Sequence, residues 1–179
     1  MKKILIALVV VAALLISLIF IFSSSTPDLY KDAKESAVNE TFEKGDAVFY
    51  FYQESCSYCQ TVKGEMTKLA NDLEGTDTSF YLVDMAKESN GSAWYDSAKY
   101  NAIFGEGHDP KTNPDHNYKA EQIITSDDID LVGTPAVMYV KDGKTVGYGV
   151  GPDLFDVLNM SVKDVGKDIT YDASVYGKQ

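Results

Sequence analysis

Runs of apolar residues alternate with polar stretches along the chain in an order that predicts strands and helices. The apolar and aromatic run Ala47–Tyr52 has the length and composition of a buried strand. Beyond it, apolar residues recur at spacings of three and four, which places them on one face of a helix: Cys59, Val62, Met66, Leu69, Ala70 and Leu73. Ser79–Asp84 has the pattern of a second buried strand, so the order predicts a parallel strand pair with a right-handed crossover.

The C-terminal third carries a strong hairpin signal. The strand patterns Ala136–Val140 and Thr145–Val150 flank an Asp-Gly pair, which favours a tight turn. Pro152 then opens a helix at its first turn. The apolar residues expected on the inner face of that helix are Leu154, Phe155, Leu158 and Val162. Residues 169–179 are predicted to form a polar tail.

Two further segments have weaker patterns. Residues Asp28–Phe42 predict a weakly amphipathic helix that packs on the domain. Residues 86–129 indicate an insertion: a helix with Trp94 facing inward, a long polar loop, and a short helix over Ala120–Leu131 in which Ser126 caps the last part. Together the elements predict an α/β fold, β-α-β followed by β-β-α, with a central mixed sheet and helices on both faces.

The first residues carry a membrane signal. Lys2 and Lys3 precede Ile4–Phe22, an uncharged apolar stretch close to the roughly 20 residues that span a bilayer. This length favours a retained N-terminal membrane helix over a cleaved signal peptide, while the small residues Ser23 and Ser25 fit a cleavage site. The lysines orient the body of the chain outside the cytoplasm under the positive-inside rule.

Length and charge narrow the possible functions. The chain has 179 residues and a formal net charge of −11 at pH 7, so nucleic acid is not an expected partner.

We expect an anchor or signal segment at 1–25 and a linker with a helix at 26–45. One folded domain is then expected at 46–168, followed by the tail at 169–179.

The only two cysteines, Cys56 and Cys59, lie where the first strand gives way to a helix. A helix N-terminus favours an anion, so Cys56 is expected to be the nucleophilic thiolate. Cys59, one turn later, is expected to be buried and able to resolve a mixed disulfide. Two intervening residues close too small a loop for a disulfide that stabilises the fold. The pair therefore predicts thiol–disulfide exchange, and the N-terminal segment predicts that the domain works in an oxidising compartment.

The residues around the cysteines resemble a known family. The sequence F-Y-F-Y-Q-E-S-C-S-Y-C at 49–59, together with V-G-T-P-A at 132–136, is similar to the thioredoxin family. The similarity covers roughly Asp46–Met85 and Ile129–Val162. It implies a thioredoxin fold with an inserted segment before the cis-proline strand.

In that family, the proline that opens the strand is cis and lies against the CxxC pair. The resemblance therefore implies that Pro135 is cis and that the backbone of Thr134 pairs with an extended substrate peptide. It also implies that Cys56 attacks and Cys59 resolves, without a cofactor. The residues between the cysteines, Ser57 and Tyr58, are expected to contribute to substrate binding.

Three features depart from the pattern of thioredoxins. Gly64 stands where they have a kinking proline, Tyr50 stands in place of their buried acid, and the dipeptide between the cysteines is Ser-Tyr rather than Gly-Pro. In thioredoxins the buried acid assists proton transfer to the resolving thiol. Because tyrosine replaces this acid, the sequence does not identify the residue that accepts the proton of the resolving thiol. Glu54 and Glu65 are candidates.

Other interpretations of these residues stay open. The cysteines could form half of a zinc site with His108 and His116, but these histidines are not at the usual spacing of three to five residues. The cysteines could also be structurally inert. Polar residues around Asp109 resemble a fragment of a calcium loop without its central glycine and final glutamate. No metal is therefore expected.

Taken together, these patterns predict a membrane-anchored, extracytoplasmic thiol–disulfide oxidoreductase, with the oxidase direction slightly favoured over reduction. The expected partners are thiols and disulfides of exported proteins or peptides, and a membrane or extracellular redox partner. A tethered protein of this kind suits a Gram-positive bacterium. The alternative is a redox-independent binding protein of an export system, similar to bacteriocin-transport accessory proteins, with residues 86–129 as its recognition surface.

Overall fold

A computed structural model of the chain describes residues 31–32, 35–87, 90, 94, 120–129 and 133–177. These residues form one five-stranded sheet with the order β1-β3-β2-β4-β5. The strands are β1 (Lys31–Asp32), β2 (Asp46–Tyr52), β3 (Thr78–Asp84), β4 (Ala136–Lys141) and β5 (Lys144–Val150), and the helices are α1 (Glu35–Glu43), α2 (Ser57–Leu73) and α3 (Leu154–Asp164). Neighbours β1, β3 and β2 are parallel, while β4 and β5 run antiparallel to their neighbours. The predicted α/β fold with a mixed sheet is confirmed.

Strand β2 occupies the middle of the sheet. Five consecutive residues of the strand are buried, and it pairs with β3 on one side and β4 on the other. A strand covered on both faces has a continuous apolar sequence, as the run that ends at Tyr52 does. The chain leaves the centre of the sheet there and enters α2 at Ser57, which places the cysteines at this junction.

Side chains on the two sides of the sheet pack into separate cores. On one side, here called the α2–α3 face, Val48 and Tyr50 of β2 pack with apolar residues of α2 and α3. On the other side, here called the α1 face, Phe49 and Phe51 pack with residues from several short segments. These residues include Val38, Met85, Trp94, Ile123 and Ile129. Helices therefore cover both faces, as predicted.

The β4–β5 hairpin turns at Asp142 and Gly143, as the Asp-Gly pair predicts. These residues have φ of 51° and 71°, the two positive angles that a type I′ turn requires. The backbone N–H of Asp142 donates to the Asp46 carboxylate at 2.7 Å. A Cβ at Gly143 would lie 2.7 Å from the carbonyl oxygen of Phe42. Glycine is therefore required here by its conformation and by the space available.

The helix predicted over Asp28–Phe42 begins later than expected. Within that range, Lys31–Asp32 forms strand β1 and pairs with β3, and α1 begins only at Glu35. A strand of two residues is too short to show an alternating pattern, so its pairing with β3 decides its conformation.

The short helix predicted at the end of the insertion is instead two 3₁₀ turns, Ala120–Gln122 and Ser126–Asp128. Thr125 precedes the second turn, so Ser126 is the first residue of that turn and not its cap. The Asp128 carboxylate accepts the backbone N–H of Thr125 at 2.8 Å and its hydroxyl at 3.0 Å. Such local side-chain bonds compete with a continuous α-helix.

Residues 169–177, predicted to be part of a polar tail, pack on the domain, and we name them the C-terminal segment. Tyr171 is 2% exposed and belongs to the core of the α2–α3 face. Its backbone N–H donates to the Asn159 side chain at 2.7 Å, and the Asn159 amide donates back to its carbonyl at 3.1 Å. Its hydroxyl donates to Asp72 of α2 at 2.6 Å. Tyr171 is thus buried, and its polar atoms are paired with residues far away in the sequence.

Several predictions fall outside the described residues. These are the apolar stretch Ile4–Phe22 and most of the insertion, including His108, Asp109 and His116. Within the part of the chain that the structure describes, no helix is both long and apolar enough to cross a membrane. The membrane anchor and the role of the insertion therefore stay predictions.

Candidate active site

Cys56 occupies the N-cap position of α2, shortly after β2 ends. Its backbone is extended, with φ of −79° and ψ of 114°. Its N–H donates to the carbonyl oxygen of Gln53 at 3.1 Å, and its own carbonyl accepts the N–H of Gln60 at 3.2 Å. These bonds close the turn from strand to helix. They fix the sulfur at the helix N-terminus, where N–H groups and the helix dipole favour negative charge.

The two sulfurs differ in exposure and in hydrogen bonding. Cys56 is half-buried, whereas Cys59 is only 2% exposed. The backbone N–H of Cys59 donates to Cys56 Sγ at 3.2 Å, so it stabilises negative charge on the outer sulfur. One helical turn therefore carries an accessible sulfur and a buried one.

Burial raises the pKa of the Cys59 thiol from its ordinary 9.0 to about 11. The main cause is the removal of water from around the sulfur, and a hydrogen bond with the Cys56 side chain adds to it. Cys59 is therefore a thiol at neutral pH. To attack another sulfur, it must first pass its proton to an acceptor.

The turn before β4 brings Thr134 and Pro135 against the cysteines. The Thr134–Pro135 peptide bond is cis, as the resemblance implies. The Cys56 thiol donates to the carbonyl oxygen of Thr134 at 3.4 Å. Pro135 is buried, and its carbonyl accepts the backbone N–H of Gly151 at 3.0 Å. Two segments far apart in the sequence therefore meet at Cys56.

Residues 32–158 match the family model of a thioredoxin-like domain. The chain belongs to the thioredoxin-like family. Similar solved structures include mitochondrial thioredoxin 3 from Saccharomyces cerevisiae in its oxidised form, at 18% identity over 79% of this chain and 99% of that one, with a TM-score of 0.46. Thioredoxin from Fasciola hepatica is 20% identical over 73% of this chain and 89% of that one, with a TM-score of 0.41. No protein with a curated description matches the chain.

In this thioredoxin-like domain, Tyr50 lies beside Cys59 at the position where the resemblance implies an acid. Its hydroxyl donates to the carbonyl oxygen of Cys59 at 3.2 Å. Its ring is 3% exposed and stacks on Tyr52, with centroids 5.7 Å apart. Of the carboxylates considered as substitutes, Glu54 is exposed, and Glu65 acts electrostatically on the C-terminal segment. The residue beside Cys59 is therefore a phenol that donates a hydrogen bond.

The dipeptide between the cysteines has one exposed and one packed side chain. Ser57 is exposed and begins α2. Tyr58 is half-buried, and its ring stacks on Tyr176 of the C-terminal segment, with centroids 4.7 Å apart and planes inclined by 8°. Tyr176 is a site residue that the sequence does not reveal, because its polar neighbours show no periodic pattern.

Among the described residues, no group of three or more His, Cys, Asp or Glu side chains is placed to hold a metal ion. His108 and His116, which the zinc interpretation requires, lie outside those residues. Thiol–disulfide exchange itself needs no metal, because the two sulfurs carry the electrons.

Proposed function

We propose that this thioredoxin-like protein is a thiol–disulfide oxidoreductase that exchanges disulfides with exported proteins through Cys56 and Cys59. The observation that carries the proposal is the unequal exposure of two sulfurs held together at one helix end. A substrate sulfur can approach Cys56, whereas the buried Cys59 is accessible mainly to Cys56. An accessible sulfur and a resolving sulfur are the minimum that exchange requires.

In the oxidase direction, the pair begins as a disulfide. A substrate thiolate attacks Cys56 Sγ, so a mixed disulfide forms and the Cys56–Cys59 bond breaks. Cys59 leaves as a thiolate and takes up a proton, which its raised pKa favours. A second substrate thiolate attacks the substrate sulfur of the mixed disulfide and releases Cys56. Two electrons pass from the substrate dithiol to the pair, and a disulfide-bearing redox partner then reoxidises it.

One of the two hydrogen bonds at Cys56 Sγ supports the oxidase direction, whereas the bond that the thiol donates to the Thr134 carbonyl oxygen favours the neutral thiol. The N–H of Cys59 and the end of α2 stabilise negative charge on Cys56 Sγ. This favours the reduced pair and makes its disulfide a stronger oxidant. In either direction Cys59 must lose its proton when it resolves a mixed disulfide, whether with a substrate that is reduced or with the partner that reoxidises the pair, and the neighbouring Tyr50 is a phenol rather than a carboxylate.

Thr134 and Pro135 are proposed to align the substrate. The carbonyl oxygen of Thr134 lies 3.4 Å from Cys56 Sγ, so an extended peptide paired with this backbone would bring its own sulfur to Cys56. Exposed Ser57 and half-buried Tyr58 border the same sulfur and would contact the flanking substrate residues.

The proposed location follows from the first residues of the sequence. Ile4–Phe22 follows two lysines and is long enough for a membrane tether, with the domain outside the cytoplasm. Disulfides persist in that compartment. A tether would keep the domain at the surface of a Gram-positive cell, which has no closed periplasm.

Two single-cysteine variants test the chemistry. Cys59→Ser keeps the exchanging sulfur and should accumulate mixed disulfides with substrates, whereas Cys56→Ser should form none and lose exchange. Non-reducing electrophoresis of cell extracts measures both. A Cys56→Ser chain that keeps its cellular function would instead identify a redox-independent binding protein.

The reduction potential of the pair tests the direction. A fragment of residues 26–179 is equilibrated against glutathione buffers, and the oxidised fraction is measured. A value of about −120 to −180 mV supports the oxidase, while about −270 mV or lower identifies a reductase. A pair that never forms a disulfide would refute the exchange mechanism.

A further inference from the structure

The C-terminal segment reaches the cysteine pair although it lies beyond residues 32–158, which match the family model. It follows α3 and ends beside Tyr58, the residue that precedes Cys59. The segment therefore adds a wall to the site that the matched part of the chain does not supply.

Hydrogen bonds of Tyr171 anchor this segment to the domain, and a local cap orders the residues that follow. Tyr171 bonds to Asn159 of α3 through two contacts and to Asp72 of α2 through its hydroxyl. Asp172 then caps a 3₁₀ turn over Ala173–Val175 by accepting the backbone N–H of Ser174 at 2.8 Å. Val175 and Tyr176 also pack against the core of the α2–α3 face, so the segment lies on the domain up to Tyr176.

Tyr176 contacts both halves of the site. Its ring stacks on Tyr58 at the start of α2. Its hydroxyl lies where a side chain at Gly151 would extend, since a Cβ there would be 3.2 Å from the hydroxyl oxygen. Gly151 is in turn bonded to the carbonyl of Pro135. Burial raises the pKa of Tyr176 to about 12, with charge on Tyr58 and both cysteines as further causes, so the phenol stays neutral.

We propose that Tyr176 is a positioning residue for exchange at Cys56: stacked on Tyr58 and seated against Gly151, it holds the start of α2 against the turn that carries Pro135. This inference rests on the proposed function. A peptide paired with Thr134 needs Cys56 at a fixed place, because its own sulfur is held by that pairing. A small thiol without a peptide backbone can follow Cys56 wherever it moves.

The test compares two reduced substrates of the oxidised full-length chain in detergent micelles: a peptide dithiol and dithiothreitol. Tyr176→Ala should lower kcat/KM for the peptide by about two- to tenfold, the range expected for losing an aromatic pair. The value for dithiothreitol should not fall, because a small thiol still reaches Cys56. Tyr176→Phe keeps the ring and should restore the peptide rate.

A matched control is Tyr81→Ala. Tyr81 is also half-buried and stacks on Phe49 at 5.2 Å with planes 12° apart, but it lies on the α1 face. This substitution should leave the ratio of the two rates unchanged. Two results would overturn the proposal and leave Tyr176 with a structural role only. One is an equal loss of kcat/KM for both substrates in Tyr176→Ala, and the other is the same change in the peptide-to-dithiothreitol ratio in Tyr81→Ala.

A second measurement separates this inference from the proposed function. The alkylation rate of Cys56 by iodoacetamide is measured in reduced Cys59→Ser chains, and adding Tyr176→Ala should raise it because one wall of the site is lost. If the wild-type chain oxidises neither substrate, the oxidase function fails, and this rate alone decides the positioning role. An unchanged alkylation rate would then overturn it.

Discussion

Both faces of the sheet bury aromatic side chains, but they are covered in different ways. The α2–α3 face is covered by helices of 17 and 11 residues and by the C-terminal segment. In the part of the chain that the structure describes, the α1 face is covered by a helix of 9 residues, Trp94 and two 3₁₀ turns. Both cysteines belong to α2 or its cap.

This difference shows where the fold can hold reactive groups in place. A long helix with an apolar stripe fixes its N-terminus through many contacts along its length, so Cys56 and Cys59 keep their geometry. Short turns depend on local bonds such as those between Asp128 and Thr125. Among the described residues, the reactive pair therefore lies on the face that carries the two longer helices.

The largest expected effect comes from removing one core aromatic ring from each face. Phe155 and Phe51 are both fully buried, so Phe155→Ala and Phe51→Ala should each lower the free energy of unfolding by about 3–5 kcal/mol. Urea denaturation measures both, with Ile124→Ala as the control because Ile124 is 73% exposed. A loss below about 1 kcal/mol at Phe51 would show that the α1 face is loosely packed.

A smaller loss is expected at the bond that anchors the C-terminal segment. Tyr171→Phe removes the hydroxyl that bonds to Asp72 and should cost about 1.5–3 kcal/mol, because the acceptor is a carboxylate. Ser174→Ala removes only an exposed bond to Asp172 and should change stability by less than about 0.5 kcal/mol. Equal denaturation midpoints for the two variants would contradict the described anchoring.

The buried thiol should make stability depend on pH at the alkaline end. In a Cys56→Ser chain, the pKa of Cys59 loses the contributions of Cys56, but burial, the largest cause, still holds it above the ordinary 9.0 when the chain is folded. The stabilisation is therefore complete below about pH 9 and is lost as the pH rises through the raised pKa of the folded chain. Subtracting the curve of a Cys56→Ser, Cys59→Ser chain removes the tyrosine contributions. A flat difference curve would show that Cys59 is solvated.

The smallest effect concerns a glycine within α2. A Cβ at Gly64 meets nothing within 4 Å, so Gly64→Ala should raise the free energy of unfolding by about 0.5–1 kcal/mol. Gly143→Ala is the contrasting variant and should destabilise, because its φ is positive and its Cβ would contact Phe42. Loss of stability in Gly64→Ala would indicate that α2 requires a bend at this position.

Local patterns in the sequence were enough to predict most of the sheet and the centre of the site. The apolar run before Cys56, the helical stripe after it and the Asp142-Gly143 turn are each specified by neighbouring residues. The approach of Pro135 to the cysteines came from the resemblance to thioredoxins. Spacing alone does not predict it.

The remaining features depend on contacts between distant residues. Strand β1 is only two residues long and is defined by its pairing with β3. Tyr171 and Tyr176 lie among polar residues, and they are packed by Asp72, Asn159 and Tyr58 from other elements. A polar composition predicts exposure on average, and it cannot show that a tyrosine has a partner elsewhere in the chain.

The contact between Cys56 and Thr134 joins residues 78 positions apart. A ribosome makes both thiols well before the segment that completes their surroundings, and non-local pairing forms slowly. Until β4 docks beside β2, a newly made chain carries a plain dithiol with no selectivity. During that interval the two thiols react with any disulfide they meet, without the turn at Thr134 beside them.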